Sequence, residues 1–334
     1  MEGCVQVFIL SIPFCDVLKS NIEKYLDSKI VINFNNTIVN LLNQSNRIGD
    51  YLELHKGWMS IPSKTICNKI EYNQKIFTTE DINQNPHLRD LVVPCLEGKD
   101  IHRYYTDEVD KWVNVNDMDL KTIGWHNAPK IIMQRIVGQN KIKIVTTVDL
   151  DNRVIFPNAN LINLKRETDD IIMYLPIINS KLINYFYNNF YGESNTNITK
   201  EGFENIPVPD LNLDELDRLL FIKYGKDMLD LNKTNRVLII KFLKTIERAY
   251  ELKDFKYSTM SKFYELEYSD FLKKLLKKNK LKLIQQDELE DYFDKYKKDI
   301  NQNLNKIKKI ELEIDTLVYK IYNLNEDDIK QIEK

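Results

Sequence analysis

The C-terminal part of the chain carries a regular spacing of apolar positions. They recur at steps of four and three, at Tyr296, Ile300, Leu304, Ile307, Ile310, Ile314, Leu317, Ile321 and Leu324. This spacing predicts a long helix with one apolar stripe, as in a coiled coil. The stripe must be buried against a helix of this chain, residues 235–252 or 266–276, or against another molecule. We expect the internal partner.

Two further patterns predict helices. Residues 211–334 are helical in pattern almost throughout and rich in Lys and Glu. Residues 169–191 place apolar side chains at three- and four-residue spacing, which predicts a helix with one buried stripe. Pro176 lies inside that helix, so we expect a kink or a helix start close to it.

Short β-rich runs alternate with turns between residues 47 and 210. The runs cover residues 141–148, 154–156 and 161–164. The Pro207-Val208-Pro209 segment is extended and interrupts helix on both sides, so we place a domain boundary there. The pattern predicts an α+β protein, with a mixed α/β domain at 47–210 followed by an all-helical domain at 211–334.

The first 46 residues are apolar and irregular. They predict strands at 5–14 and 30–34 with a helix at 16–26 between them. A piece of this length is too short for an enzyme domain. We interpret residues 1–46 as a bracing segment or as the remnant of an upstream domain.

Composition indicates a globular protein, with 43% hydrophobic and 10% aromatic residues among 334. The net charge of −2 does not by itself indicate nucleic-acid binding, for which clustering of Lys and Arg on one face matters more than their sum. The four cysteines lie far apart without a C-x-x-C pair, so we expect no metal site. No apolar run approaches the ~20 residues that span a bilayer, and we expect a cytoplasmic protein without membrane contact.

Five segments are informative in their order along the chain. They are GKDIHRY at 98–104, PKIIMQR at 129–135, LPIINSK at 175–181, IPVP at 206–209 and IDTLVYKIYNLNEDDI at 314–329. In this order they resemble the TaqI-like C-terminal specificity domain of adenine-specific DNA methyltransferases and type IIG restriction-modification enzymes. The resemblance covers about residues 47–334. It departs at residues 54–64, where only Gly57 of a glycine-containing loop is kept, and at Asn323, where the family has Gly.

The resemblance implies a domain that selects the DNA target, whereas the family's chemistry lies upstream of it. The sequence holds neither a glycine-rich loop for S-adenosylmethionine nor an Asn-Pro-Pro-Tyr-like motif for a flipped adenine. We therefore expect no catalytic residue and no cofactor in this chain, with S-adenosylmethionine bound by the parent enzyme. Methyl transfer would be carried out by a separate methyltransferase subunit or by a lost N-terminal half.

Candidate DNA contacts are basic and amide side chains within or near these segments. Strand alternation over 130–135 would place Lys130, Ile132 and Gln134 on one side, and a basic hairpin would continue to residue 143. Lys and Arg can reach phosphates, and Arg, Lys and Gln on a rigid sheet edge can read bases. The predicted contacts are Lys56, Lys64, Lys99, Arg103, Lys130, Gln134, Arg135, Lys141, Lys143, Arg153, Lys165, Arg166 and Lys181.

These features predict a sequence-specific module that binds double-stranded DNA in a restriction-modification system. Two other interpretations stay open. The chain could be a truncated remnant without a working partner, or a helical scaffold or inhibitor that binds proteins through its C-terminal stripe and never touches DNA.

Overall fold

A computed structural model describes residues 35–59, 65–67, 70–72, 76–138, 140–166, 168–191, 197–253, 255–277 and 279–334. The elements predicted at 5–14, 16–26 and 30–34 lie outside the described residues. The protein is α+β, as predicted.

Strands are confined to the first two thirds of the chain. They are β1 (Asn46–Arg47), β2 (Leu52–Lys56), β3 (Thr65–Cys67), β4 (Ile70–Tyr72), β5 (Ile76–Thr78), β6 (Val92–Leu96), β7 (Ile101–His102), β8 (Tyr105–Thr106), β9 (Lys111–Asn114), β10 (Lys130–Gln134), β11 (Thr146–Asp149), β12 (Val154–Ile155), β13 (Ala159–Leu164) and β14 (Pro207–Val208).

Helices connect the strands and then form the remainder of the chain. They are α1 (Asn36–Leu42), α2 (Thr79–Gln84), α3 (Leu120–Asn127), α4 (Ile171–Ile178), α5 (Lys181–Tyr191), α6 (Lys200–Glu204), α7 (Glu215–Ala249), α8 (Tyr257–Met260), α9 (Tyr268–Leu276), α10 (Leu283–Ile321) and α11 (Glu326–Ile332). No helix in the described part of the chain is long and apolar enough to span a membrane.

The central sheet has the antiparallel order β11–β10–β13–β2. Ile131 lies opposite Ile162, which lies opposite Leu54, and paired residues share one face of a sheet. These three side chains belong to the large core formed with the helices. Ile132 and Leu161 point to the other face and pack against residues of the second sheet, β12–β6–β9–β5. The alternation predicted for residues 130–135 is therefore confirmed.

The predicted strand over 141–148 is shorter than expected and begins only at Thr146. Before it, the Asn184 side chain of α5 takes over the hydrogen bonds that a strand neighbour would make. Its Oδ1 accepts from the backbone N–H of Lys143 at 2.7 Å, and its Nδ2 donates to the carbonyl of Lys141 at 3.0 Å. An antiparallel β10–β11 hairpin is present, but residues 141–143 lie in the connection between its strands and not on a strand.

The helix predicted over 169–191 is interrupted at Asn179 and Ser180, three residues after Pro176. At this point the buried Asn179 side chain binds β11, the edge strand of the central sheet. It accepts from the N–H of Thr146 at 3.3 Å and donates to the carbonyl of Thr146 at 3.1 Å. The break therefore satisfies the backbone of an edge strand, which would otherwise carry buried unpaired groups.

The apolar stripe of the C-terminal helix is buried within the chain, as expected. Ile300 of α10 packs with Phe242 and Phe271, which belong to α7 and α9. Further along α10, Ile314 joins the large core with Phe221 of α7. The internal partner is confirmed, and α7 and α10 together connect the helical part to the sheets.

Candidate nucleic-acid interface

Lys130 is not a DNA contact in this structure, because its side chain is 0% exposed. It lies opposite Asp149 across β10 and β11, and Nζ is 2.6 Å from Oδ2 of that carboxylate. Nζ also donates to the carbonyl of His126 in α3. The ammonium is held between the central sheet and α3, away from solvent.

Arg153 shares this buried carboxylate. Its Nε donates to Oδ1 of Asp149 at 2.6 Å, and its side chain is 12% exposed. Burial alone would raise the pKa of the Asp149 carboxyl, but the charges of Lys130 and Arg153 outweigh it and hold the pKa below its usual range. Arg153, a predicted DNA contact, is therefore bound to the buried Asp149 carboxylate.

Lys143 is also excluded as a contact by burial, with 1% of the residue exposed. Its Nζ donates to the carbonyl of Gly138 at 2.6 Å and so closes the loop between β10 and β11. Lys64, by contrast, lies outside the described residues and stays a prediction.

Gln134 and Arg135 are half-buried, and each uses its side chain within the protein. Gln134 donates to the carbonyl of Ile101 at 2.6 Å, and Arg135 to that of Pro157 at 3.1 Å. Their proposed roles in reading bases stay predictions.

Arg103 and Lys181 reach toward the C-terminal helices. Arg103 Nη1 donates to Glu311 of α10 at 3.0 Å, and Nη2 donates to the carbonyl of Asn179 at 2.9 Å. Lys181 Nζ donates to Glu333 at 2.7 Å, although the side chain is 46% exposed. In the conformation described, Arg103 joins the β7–β8 region to the helical part.

Replacing Arg103 by Ala should therefore lower the free energy of unfolding by about 1–3 kcal/mol, the usual loss for hydrogen bonds to charged groups. The salt dependence of DNA binding should not change. Thermal unfolding measures the first effect, with Lys99→Ala as the control for stability because Lys99 is 69% exposed. Binding titrations over a range of salt concentrations measure the second effect. Unchanged stability with a weaker salt dependence would instead place Arg103 on a phosphate.

The remaining predicted contacts are exposed. They are Lys56, Lys99, Lys141, Lys165 and Arg166. Lys56 lies opposite Asn160 at one end of the β2–β13 pair, whereas Lys165 follows Leu164 at the other end, five residues or roughly 17 Å along the strand. Arg166 donates to Asn212 at 2.7 Å and lies over the ring of Tyr51. Lys56 and Lys165 thus lie at opposite ends of this strand pair.

A groove of about 750 Å³ lies between the β7–β8 hairpin and the helices. On the hairpin side the rings of His102 and Tyr105 are stacked, with centroids 4.5 Å apart. On the helical side Arg236 is 2.6 Å from Asp107. Lys244 is 3.7 Å from Glu108. Sequence reasoning missed this groove, because its walls are more than 120 residues apart in the chain.

The groove offers aromatic faces, which can stack on bases, but its cations face carboxylates. Burial alone would raise the pKa of the Asp107 carboxyl, yet His102 and Arg236 outweigh it and keep the pKa below its usual range. These ion pairs connect the two walls of the groove, one from the sheet part and one from the helical part.

Two regions of the chain match known families. Residues 93–208 match the TaqI-like C-terminal specificity domain, and residues 214–318 match a domain of unknown function (DUF8810). The resemblance inferred from the sequence motifs is thus confirmed over residues 93–208. No curated protein matches the chain.

Among solved structures, the Type IIL restriction-modification enzyme MmeI in complex with DNA is similar to this chain. The TM-score is 0.39 and the sequence identity 10%, over 84% of this chain and 36% of that chain. This chain therefore spans about a third of the length of that enzyme.

Proposed function

We propose that this chain is the DNA target-recognition module of a restriction-modification system, and that it directs adenine methylation by a catalytic core that residues 35–334 do not contain. The observation that carries the proposal is the match of residues 93–208 to the TaqI-like specificity domain. Duplex DNA is the proposed ligand and a methyltransferase core the proposed partner. S-adenosylmethionine would bind to that partner, and the cytoplasmic location stays a prediction.

The geometry supports a rigid domain for recognising DNA. The central sheet is held on one face by the large helical core and on the other by the second sheet. Exposed cations such as Lys56 and Lys141 project from this rigid part, as phosphate contacts that position a protein on DNA require. Methylation by a partner would then depend on how firmly this part fixes the target.

A protein-binding scaffold is less well supported. That alternative requires the C-terminal stripe to be free, whereas Ile300 and Ile314 are buried against α7 and its neighbours. The remaining alternative, a truncated remnant, would keep the same fold but would not bind DNA selectively. A DNA-binding experiment therefore distinguishes it from the proposed function.

The test is selection of random duplex DNA by the purified chain, with sequencing at low and moderate salt. We expect one enriched motif that survives added salt, with an affinity that falls by about 0.9 log units per log unit of salt for each phosphate contact. Absence of any enrichment would overturn recognition by this chain. Calorimetry with S-adenosylmethionine alone provides the second control, and binding there would contradict the assignment of the cofactor to a partner.

A further inference from the structure

A second basic surface lies in the helical part, at residues that sequence analysis did not select. Residues 253–282 contain nine lysines and four acidic residues, a net charge of +5, in a chain whose net charge is −2. Within this stretch, residues 273–282 contain six lysines and no acidic residue. Positive charge is therefore more concentrated here than in the predicted contacts of residues 47–210.

The fold gathers part of this stretch around a cleft of about 400 Å³. One wall is the segment between α7 and α8, and the other is the C-terminal end of α9. Asn279 ties the walls together, because its Oδ1 accepts from the N–H of Lys253 at 2.9 Å and its Nδ2 donates to the carbonyl of Leu275 at 3.2 Å. The lysines that line the cleft are Lys253, Lys256, Lys274 and Lys277.

These four lysines are exposed, and none has an ion-pair partner among the residues that the structure describes. No acidic side chain is among the described residues that line the cleft. The groove at the β7–β8 hairpin differs, because Arg236 and Lys244 each face a carboxylate there. Four lysines around one cleft, none with an ion-pair partner among the described residues, create a positive potential that an anionic partner would relieve.

The cleft lies across a short helix from the groove that borders the matched specificity domain. The short helix α8 separates it from the groove, with Tyr257 and Ser258 on the groove side and Lys256 and Thr259 on the cleft side. The opposite wall of the groove is the β7–β8 hairpin, within residues 93–208. A ligand bound along the specificity domain can therefore reach the cleft by crossing the groove and the single turn of α8.

We propose that this cleft, the lysine cleft, binds the phosphate backbone of the duplex that residues 47–210 recognise, an inference that rests on the proposed function. Lysine is a flexible point charge that suits phosphate. Among the described residues that line the cleft, Asn279 alone carries an amide that could read a base edge, and its side chain is already hydrogen-bonded to both walls. The lysine cleft therefore supplies affinity that is independent of sequence, while base reading belongs to the sheet part.

The test compares two variants of the full chain that remove the same charge. The first is Lys253→Gln/Lys256→Gln/Lys274→Gln/Lys277→Gln. The control is Lys226→Gln/Lys233→Gln/Lys306→Gln/Lys308→Gln, at exposed lysines of α7 and α10. These control lysines also have no ion-pair partner among the described residues. Because all eight side chains are exposed and Gln retains helix propensity, both variants should unfold at nearly the wild-type temperature.

Binding to the duplex selected by the wild-type chain is measured over a range of salt concentrations. We expect the slope of log K against log salt to fall by about 3–4 in the cleft variant, and by less than about 1 in the control, with the selected motif unchanged. If the slope is the same in the cleft variant and in wild type, or falls equally in the cleft variant and the control, this inference is wrong while the proposed function stands. If the wild-type chain binds no DNA at all, the proposed function fails and the inference fails with it.

Discussion

Replacing Asp149 by Asn will lower the free energy of unfolding by about 3–5 kcal/mol, the loss typical of breaking a buried ion pair. The carboxylate is 0% exposed and accepts from both Lys130 and Arg153. A neutral amide of the same shape leaves the Lys130 ammonium buried, with the His126 carbonyl as its remaining acceptor among the described residues. Urea denaturation of the purified chain measures the effect.

Two matched variants separate charge burial from general damage. Asp151→Asn removes a carboxylate that is 76% exposed and 3.5 Å from Arg153, so it should cost less than about 1 kcal/mol. Lys130→Met should have an intermediate effect, because Asp149 keeps Arg153 and two backbone N–H donors. If Asp149→Asn and Asp151→Asn were equally stable, the buried network would not contribute as argued.

The same variant predicts a pH dependence. The pKa of Asp149 is lowered in the folded state, so the stability it contributes is fully present above its unfolded pKa of about 3.9 and is lost as pH falls through the folded value. The difference in stability between wild type and Asp149→Asn should therefore be constant near neutral pH and shrink in acid. A difference that grows below about pH 4 would reverse the assigned sign.

Periodicity predicted the elements better than it predicted which charges are exposed. The stripe from Tyr296 to Ile321 and the alternation at 130–135 both follow from repeats that one side of a helix or strand must obey. Strand alternation places Lys130 on the same face whether that face is exposed to solvent or packed against another sheet, so the pattern does not predict its burial. Its burial depends on Asp149, nineteen residues later, and on a register that no local pattern shows.

For a related reason, the sequence predicted only part of the candidate interface. Arg103 and Arg153 were selected as basic residues within or near informative segments, yet their partners, Glu311 and Asp149, come from other elements. The lysines of residues 273–282 were visible as a charge run, but such a run is equally typical of a solvated helix face. Their significance appears only when the end of α9 meets the segment after α7.

Replacing Gly57 by Ala will destabilise the chain by about 3 kcal/mol, at the upper end of the usual cost of overpacking. A Cβ at this position would lie 2.1 Å from the carbonyl oxygen of Phe156 and 2.6 Å from that of Ile155. Both are backbone atoms, so no side chain can rotate away. The approach is fixed by hydrogen bonds on either side, from Gly57 N–H to Ala159 at 3.1 Å and from Trp58 N–H to Ile155 at 2.7 Å.

Gly124→Ala is the matched control. Gly124 is exposed in α3, and a Cβ there would meet nothing within 4 Å, so Ala should leave stability unchanged or raise it by up to about 1 kcal/mol through helix propensity. The comparison also decides what Gly57 does, since it is the glycine kept from the family's loop. A lower unfolding temperature for Gly57→Ala assigns it to the close contact between β2 and β12. Normal stability with lost DNA binding would contradict that packing role and make the loop a DNA contact.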